Sequence, residues 1–432
     1  MKKISLLSLL LPLSFPFYAQ DSIPHSSSSL HEGGIRIMHP GDSLYETLHQ
    51  NAPHVYNIPD VPRFALLGKE GKFYMGIGAN IVTEGVYDFG APISSDVMFT
   101  TSGIPVNNAP GNGAQFRFSA QQSNVYINVV ALPGNKNQLG AYVSINFVNG
   151  KSGNYTPNLN HAYLKYRGIT AGYTYSLFSD AGAAPTTIDY EGVNAFTCVT
   201  HGMIGYERSF GRNNGWKAGV GIDMPAYSAT NAAQTASVTQ RVPDIPFYIQ
   251  KNWAGGNGWF RVSGLIRNLY YRNLAAQKNI DVVGWGIKGS GKTPIIGGLS
   301  GCWQAVYGKG IASYIQDLGG LGMDLAPDPT NSSILNPVKV WAAYGGLQYN
   351  FSPKWFCSAA YGHVRTYDHP YSDSSSDWKS GYKYAQYAVA NVFCNVNSIV
   401  QVGLEYLYGR RMDYSGLQAH DNRIEAMLKV SF

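Results

Sequence analysis

One stretch of the sequence has the spacing of a nucleotide-binding loop. Gly286, Gly291, Lys292 and Thr293 fit the pattern GxxxxGK[ST], in which backbone amides at the start of a helix cradle phosphate groups. That function needs a helix to begin at the lysine, but Pro294 follows the threonine at once and an alternating strand pattern resumes after it. We therefore predict a turn around Gly291 that binds no nucleotide.

Cysteines and histidines do not form a recognisable metal or catalytic pattern. The four cysteines contain no CxxC pair, so they are predicted to be small apolar wall residues or to form one disulfide; they are Cys198, Cys302, Cys357 and Cys394. Five of the ten histidines lie near the start of the chain without ligand spacing, which leaves a weak metal site as an open alternative; they are His25, His31, His39, His49 and His54. A Gly-x-Ser-x-Gly elbow is absent from the sequence. We expect no enzyme activity, cofactor or metal, and an outer-membrane lipase is only a formal alternative.

The position of the remaining polar residues is predicted from the strands that contain them. The strand pattern is clearest in the last segment of the chain. Apolar residues there alternate with charged or polar ones, and the chain stops on an aromatic residue; the apolar set is Ile424, Ala426, Leu428, Val430 and Phe432. This pattern is typical of the closing strand of a bacterial outer-membrane β-barrel, where one face meets lipid and the other a watery lumen.

Sixteen alternating segments can be counted, and an even number is typical of bacterial single-chain barrels. They are 74–89, 114–132, 138–149, 158–167, 169–177, 197–210, 215–225, 244–254, 257–272, 279–290, 295–308, 337–350, 354–367, 381–394, 397–410 and 420–432. Short and long connections alternate between them, as periplasmic turns and external loops do in such barrels. The sequence therefore predicts an all-β fold, a 16-stranded antiparallel transmembrane β-barrel with short periplasmic turns and long external loops.

Three regions are predicted along the chain. Residues 1–19 have the two lysines, apolar run and small residue before the cut that are typical of a signal peptide. Residues 20–72 have little core of their own and are predicted to be a periplasmic extension or linker. Residues 73–432 form the barrel. No run of about 18 to 20 apolar residues remains after residue 19, which excludes a helical membrane protein. We expect an integral protein of the bacterial outer membrane.

Side-chain alternation predicts which charged residues face the lumen. The predicted pore-lining and constriction residues are Arg117, His161, Lys165, Arg167, Asp180, Asp189, Glu191, Arg261, Arg267, Glu405 and Arg411. The three acidic residues from Asp180 to Glu191 belong to the third long loop, 178–196. If this loop folds into the lumen opposite a basic wall, it creates a transverse field that selects solutes by charge.

Several segments, taken together, resemble the DcaP-like outer-membrane porins. They are FYMGIGANIVTEGVYDFG (73–90), FSAQQS (118–123), NHAYLKYRGITAGYTYSLFSD (160–180), PTTIDYEG (185–192), YGKGIASYIQDLGG (307–320), GLEYLYGRR (403–411) and NRIEAMLKVSF (422–432). The resemblance implies a trimeric 16-stranded porin for small, often negatively charged metabolites such as dicarboxylates. Gln121, Asn124 and Asn160 stand where the family tends to have arginine, so the anion preference is expected to be weaker here. No heptads matching the family's N-terminal coiled coil are evident in 20–72.

The sequence therefore predicts a water-filled diffusion channel for small hydrophilic solutes, surrounded by outer-membrane lipid, with anionic solutes as an open option. Formal charge is +6, from 32 basic and 26 acidic residues without a basic run, so no nucleic-acid partner is expected. The alternative is a structural or partner-binding barrel with a closed pore, in which residues 20–72 bind a periplasmic partner.

Overall fold

Antiparallel strands make up most of the part of the chain that the structure describes. The structure is a computed structural model that describes residues 34–38, 41–53, 61–107, 113–148, 153–367 and 381–432. The predicted signal peptide, four of the five early histidines (His25, His31, His39 and His54) and the whole of the predicted loop 368–380 lie outside the described residues. The strands are β1 Gly34–Ile37, β2 Phe64–Leu67, β3 Phe73–Phe89, β4 Ala114–Ser119, β5 Asn124–Ala131, β6 Leu139–Asn146, β7 Asn158–Tyr166, β8 Ile169–Tyr175, β9 Thr200–Phe210, β10 Trp216–Asp223, β11 Thr235–Ser237, β12 Ile245–Trp253, β13 Gly258–Asn273, β14 Lys278–Ile296, β15 Leu299–Lys309, β16 Leu325–Pro327, β17 Leu335–Pro337, β18 Lys339–Asn350, β19 Trp355–Thr366, β20 Tyr382–Asn395, β21 Val400–Asp413 and β22 Gln418–Ser431.

Sixteen strands close into an antiparallel barrel, which confirms the predicted fold class. β4 and β5 together form one of them, because both pair with the same edge of β3, one after the other. The others are β3, β6 to β10, β12 to β15 and β18 to β22. The ring closes between β22 and β3, in a register that runs from Arg423 opposite Asp88 to Ser431 opposite Asn80.

Each predicted strand segment overlaps one barrel strand, but the segment with the nucleotide-loop spacing is placed differently from its prediction. β14 does not turn at Gly291; it continues to Ile296, and the turn lies at Gly297 and Gly298, which both have positive φ. Pro294 lacks a backbone donor, and it is accommodated next to a register shift between β14 and β15. Lys292 is therefore on a strand and not in a turn.

Residues before the barrel add two short antiparallel strands to its wall at the end that carries the short turns. β1 pairs with β2, and β2 pairs with the first residues of β3, from Ala65 opposite Gly76 to Leu67 opposite Tyr74. The backbone of Phe432 exchanges hydrogen bonds with Ala79 on the same edge of β3. The strand β2 therefore continues the wall directly below the end of β22.

The helix α1, Ser43–Asn51, lies inside the barrel wall. Its buried Leu44 and Leu48 pack with Val130, which points into the lumen from β5. The other helical segments are single 3₁₀ turns: Lys69–Gly71, Thr101–Gly103, Ala181–Ala183, Arg212–Asn214, Ala254–Gly256, Ala312–Tyr314 and Gln316–Leu318. Within the described ranges, no helix has the length and apolar character needed to span a membrane.

Candidate functional site

The lumen is the candidate functional site, and strand alternation determines which side chains reach it. We call the end with the long loops the extracellular half and the end with the short turns the periplasmic half. Three long connections fold inward through the extracellular half: the first loop, described over residues 90–107, the third loop, which spans 176–199 in the structure, and the sixth loop (310–338). The contacts of these loops determine which inward-facing charged side chains are buried and paired and which remain exposed to the lumen.

Three arginines on the wall hold the first loop by its backbone. Each donates a guanidinium hydrogen bond to a loop carbonyl: Arg117 Nη1 to Ile93 at 2.6 Å, Arg423 Nη2 to Ser95 at 2.9 Å and Arg411 Nη1 to Ser102 at 2.5 Å. Asp88 on β3 is paired with both Arg117 and Arg423, and Arg411 is paired with Asp413 at 2.8 Å. All three arginines are buried, so their charges are compensated inside the wall.

The third loop begins at a second cationic anchor. Arg261 Nη1 donates to the Ser179 carbonyl at 3.1 Å, and the Lys288 ammonium donates to the Phe178 carbonyl. The Asp180 carboxylate accepts hydrogen bonds from Trp259 Nε1 at 3.0 Å and Ser290 Oγ at 2.6 Å. Burial alone would raise the pKa of Asp180, but the charges of Arg261 and Lys288 and these hydrogen bonds lower it below its usual range.

The middle of the third loop is held by carboxylates. Glu405 on β21 accepts hydrogen bonds from the backbone N–H groups of Ile188 and Asp189, both at 2.8 Å. Asp189 in turn accepts from the Phe99 N–H and the Tyr387 hydroxyl, both at 2.9 Å. Burial raises the pKa of Asp189 to about 6.

Glu191, like Asp189, is a buried carboxyl group of the third loop that is bonded to the first loop. Its side chain accepts a hydrogen bond from the Thr100 hydroxyl, and burial raises its pKa well above the usual range, assisted by repulsion from Asp189 and Asp317. Asp189 and Glu191 are both buried and do not present carboxylates to an open passage.

The sixth loop is anchored by Arg267 on β13. This side chain is fully buried and pairs with Asp244 and Asp324, each at 3.0 Å, while its Nη1 donates to the Gly310 carbonyl at 2.6 Å. The Tyr314 hydroxyl donates to Asp244 at 2.9 Å. Burial raises the pKa of Asp244 to about 6 despite the neighbouring guanidinium.

Apolar side chains fill the space between these anchors. Residues from the three loops pack against inward residues of β13, β15 and β18 to β21 in one buried cluster. Its loop members include Ile93, Phe99, Ile104, Phe178, Phe196, Ile311, Tyr314, Ile315 and Leu318. The extracellular half on this side of the barrel is therefore packed like a protein core.

The other predicted site residues are dispersed, and the structure does not bring them to one constriction. His161 is buried on β7, with Nδ1 at 3.0 Å from the Thr174 hydroxyl. Lys165 lies near the periplasmic end of β7 beside α1. Arg167 is exposed in the tight turn after β7 with φ of 48°, and it donates to Asn137 Oδ1 at 2.5 Å. Strand parity does not extend past the end of a strand, so Arg167 does not follow the inward row.

The periplasmic half of the lumen differs in charge and exposure. Inward-facing charged residues there are partly exposed; the basic ones are Lys165, Lys217, Arg261, Lys292 and Lys429, and we call these five residues the basic vestibule. Glu207 is the acidic wall residue at this level among those described, and it pairs with Lys217 at 2.9 Å. The sequence prediction missed Lys217 and Lys292, although the alternation of β10 and β14 contains the signal for each. Lys429 was not among the predicted pore-lining residues, but it lies on the polar face of the last segment, which was predicted to meet the lumen.

The remaining sequence motifs are also placed by the structure. The segment with nucleotide-loop spacing is extended and paired on both sides, with Lys292 opposite Trp259 and Cys302, so it has no helix start that could cradle phosphate. The four cysteines are free thiols. Among the described residues, no group of three histidine, cysteine, aspartate or glutamate side chains is placed to hold a metal ion.

Known proteins resemble the chain in both sequence and fold. A sequence profile of the family described as "Porin subfamily" matches residues 133–406. The crystal structure of the outer membrane channel DcaP of Acinetobacter baumannii is similar with a TM-score of 0.68 at 19% identity, over 85% of this chain and 99% of that chain. In-vitro folded OmpT, an outer membrane protein of Vibrio cholerae, is similar with a TM-score of 0.50 at 11% identity, over 85% and 99%. A search of curated proteins gave no match.

Proposed function

The chain belongs to the porin subfamily, and from that premise we propose that it is a passive diffusion channel for small hydrophilic solutes with a weak preference for anions. The predicted resemblance to DcaP-like porins and the outer-membrane location are confirmed. The family and the fold are those of a channel and not of an enzyme. A barrel of sixteen strands is wide enough to leave an aqueous passage.

The charge of the periplasmic half carries the proposed anion preference. Among the described residues of the wall, five basic side chains and one acidic side chain are partly exposed there, and the acidic one, Glu207, is paired with Lys217. Helix α1 adds one exposed carboxylate, Glu46, so basic side chains still predominate. A water-filled space with low-dielectric walls of one sign concentrates ions of the opposite sign. The buried arginines of the extracellular half contribute less, because each is paired with a carboxylate or with loop carbonyls.

A second candidate function is supported by the apolar cluster in the lumen. The first, third and sixth loops bury a continuous set of aromatic and aliphatic side chains against β18 to β21. Such packing favours a closed barrel that serves as a structural or partner-binding protein. In the channel hypothesis, the passage runs past this packed block along the opposite wall, β5 to β12.

We further propose that the protein is exported by a cleavable signal peptide, residues 1–19, and assembles as a homotrimer. The amino-terminal pattern of charge and apolar residues supports the first point. Resemblance to trimeric porins supports the second. Mass spectrometry of the mature amino terminus and of the detergent-extracted complex tests both.

Planar-bilayer recordings test the channel directly. Purified protein should give ohmic single-channel steps, and in a salt gradient the reversal potential should have the sign of a weakly anion-selective pore. The preference should be largest at low ionic strength, because charges in the pore are screened over about 8 Å at physiological salt. Properly folded, heat-modifiable protein that gives no steps would favour the closed barrel.

A further inference from the structure

Helix α1 occupies a surface of the inner wall that is shaped to receive it. The helix lies at the periplasmic end of the lumen against β3, β5 and β6, and side chains of β7 reach its last residue. Its two leucines, Leu44 and Leu48, are buried on Val130. The opposite face of the helix is polar and exposed; it contains Ser43, Glu46 and Gln50. The helix therefore lies between the wall and the water of the lumen.

The end of the helix is fixed by one buried asparagine. Asn51 Nδ2 donates to Asn128 Oδ1 at 2.7 Å and to the carbonyls of Val129 and Ala141 at 3.2 and 3.0 Å. Gly140 on β6 provides the space, because a Cβ atom on this residue would lie 2.0 Å from Asn51 Oδ1. A glycine on the wall thus forms a notch for a side chain that is distant in sequence.

Wall residues also satisfy the carbonyl groups at the end of the helix. Asn128 Nδ2 donates to the Leu48 carbonyl at 2.8 Å, and the Tyr163 hydroxyl donates to the Asn51 carbonyl at 2.6 Å. The Lys165 ammonium donates to the Asn51 carbonyl at 3.0 Å, where a cation is favoured by the negative end of the helix dipole. One residue of the basic vestibule is therefore occupied by the helix.

We propose that α1 is a displaceable gate at the periplasmic mouth of the channel, an inference that rests on the proposed diffusion function. A helix with side chains is about 10 to 12 Å wide, so its presence removes a substantial part of the passage. A helix of nine residues is marginal alone, and two leucines and one asparagine form most of its buried face. Undocking would widen the mouth and free the ammonium of Lys165 for passing anions.

Two variants open the gate by different means. Gly140→Val fills the notch with a residue that suits a strand, and Asn51→Ala removes the hydrogen bonds without changing the barrel wall. Both should lose any reduced-conductance substate seen in the unmodified protein and show a larger single-channel conductance. Hydrogen exchange at the amides of residues 44–51 should become faster in both. Gly345→Val is the matched control, since this outward glycine on β18 has nothing within 4 Å of an added Cβ.

A cross-link closes the gate. In a background without the four native cysteines, Leu48→Cys and Val130→Cys joined by a short thiol cross-linker should keep the channel in its low-conductance state. Heat-modifiable migration establishes that each variant is folded. Conductance equal in the unmodified, cross-linked and Gly140→Val proteins would overturn the gate while leaving the channel intact. Absence of conductance in every folded variant would overturn the channel function and the gate with it.

Discussion

The two halves of the lumen use basic residues in different ways. In the extracellular half, Arg117, Arg267 and Arg411 are buried, paired with carboxylates and bonded to the backbone of an inward-folded loop. In the periplasmic half, Lys217 and Lys292 sit on the same kind of strand but retain contact with solvent. The difference is set by whether a loop covers the side chain and not by its position on the inner face.

This contrast separates stability from selectivity. A buried arginine with fixed partners contributes to the stability of the fold. It has little effect on a passing solute, because the charge of the neighbouring carboxylate largely cancels its own at a distance. A partly exposed lysine contributes little to folding but acts on ions in the water beside it. Substitutions in the extracellular half should therefore change mainly the free energy of unfolding, and substitutions in the periplasmic half should change mainly ion selectivity.

The largest effect on stability is expected from Arg267 in the extracellular half. Arg267→Met would leave Asp244 and Asp324 buried without their cation, which typically costs about 3–5 kcal/mol. Urea unfolding of the barrel in lipid vesicles measures this cost. Lys217→Met in the periplasmic half serves as the control, and an equal loss of stability in the two variants would remove the distinction between the halves.

A smaller loss is expected from Arg261, which lies where the two halves meet. Arg261→Met removes hydrogen bonds to the Ser179 carbonyl and Gln250, but Asp180 keeps its bonds from Trp259 and Ser290. One hydrogen bond to a charged group contributes about 1.5–3 kcal/mol, and at the partly exposed Arg261 water replaces part of what is lost. The same variant should also weaken anion preference in bilayer recordings. A change in stability alone would group Arg261 with the buried arginines of the extracellular half, and a change in selectivity alone would group it with the lysines of the periplasmic half.

A modest effect of pH is expected in the loops of the extracellular half. Burial raises the pKa of Asp189 to about 6, so the folded protein binds this proton more tightly than the unfolded chain does. The stability contributed by Asp189 is therefore greatest below about pH 4 and is lost as the pH rises towards 6. Thermal unfolding should occur at higher temperature at pH 5 than at pH 7.5. In Asp189→Asn the difference should shrink; an unchanged difference would assign the effect to other groups.

The smallest effect on stability is expected in the basic vestibule. Replacing Lys217, Lys292 and Lys429 with glutamine should change the free energy of unfolding by no more than about 0.5 kcal/mol per site. The reversal potential should nevertheless shift toward cations, most strongly at low salt. Lys251→Gln is the control, because Lys251 lies on the outer face of β12 over the ring of Trp216. A reversal potential that stays constant would place selectivity elsewhere in the lumen.

The barrel was predictable from sequence because its determinants are local. Side-chain alternation and turn residues located all sixteen strands, and the charged face of β22 was evident from its last ten residues. Pro294 misled the prediction for β14, since a strand tolerates proline beside a register shift that sequence does not reveal.

The site was less predictable because its determinants are distant in sequence. Parity placed Arg117 and Arg267 on the inner face, and Arg411 was predicted just past the rim of its segment. Parity contains no information about loops that fold inward and bond to these residues. The position of α1 depends on Gly140 in a strand about ninety residues later, and the pattern of neither segment alone specifies that meeting. Contacts of this kind arise from tertiary packing and not from periodicity.

The seam between β22 and β2 has a consequence for rearranging the chain. Counting along β3, Phe432 lies opposite Ala79 and Ala65 lies opposite Gly76, which leaves two positions between them. Arg63 and Phe64 are the two residues that precede Ala65. A circular permutant that omits residues 1–62 and joins Phe432 directly to Arg63, with new termini in the connection 414–417, would therefore convert β22 and β2 into one uninterrupted strand.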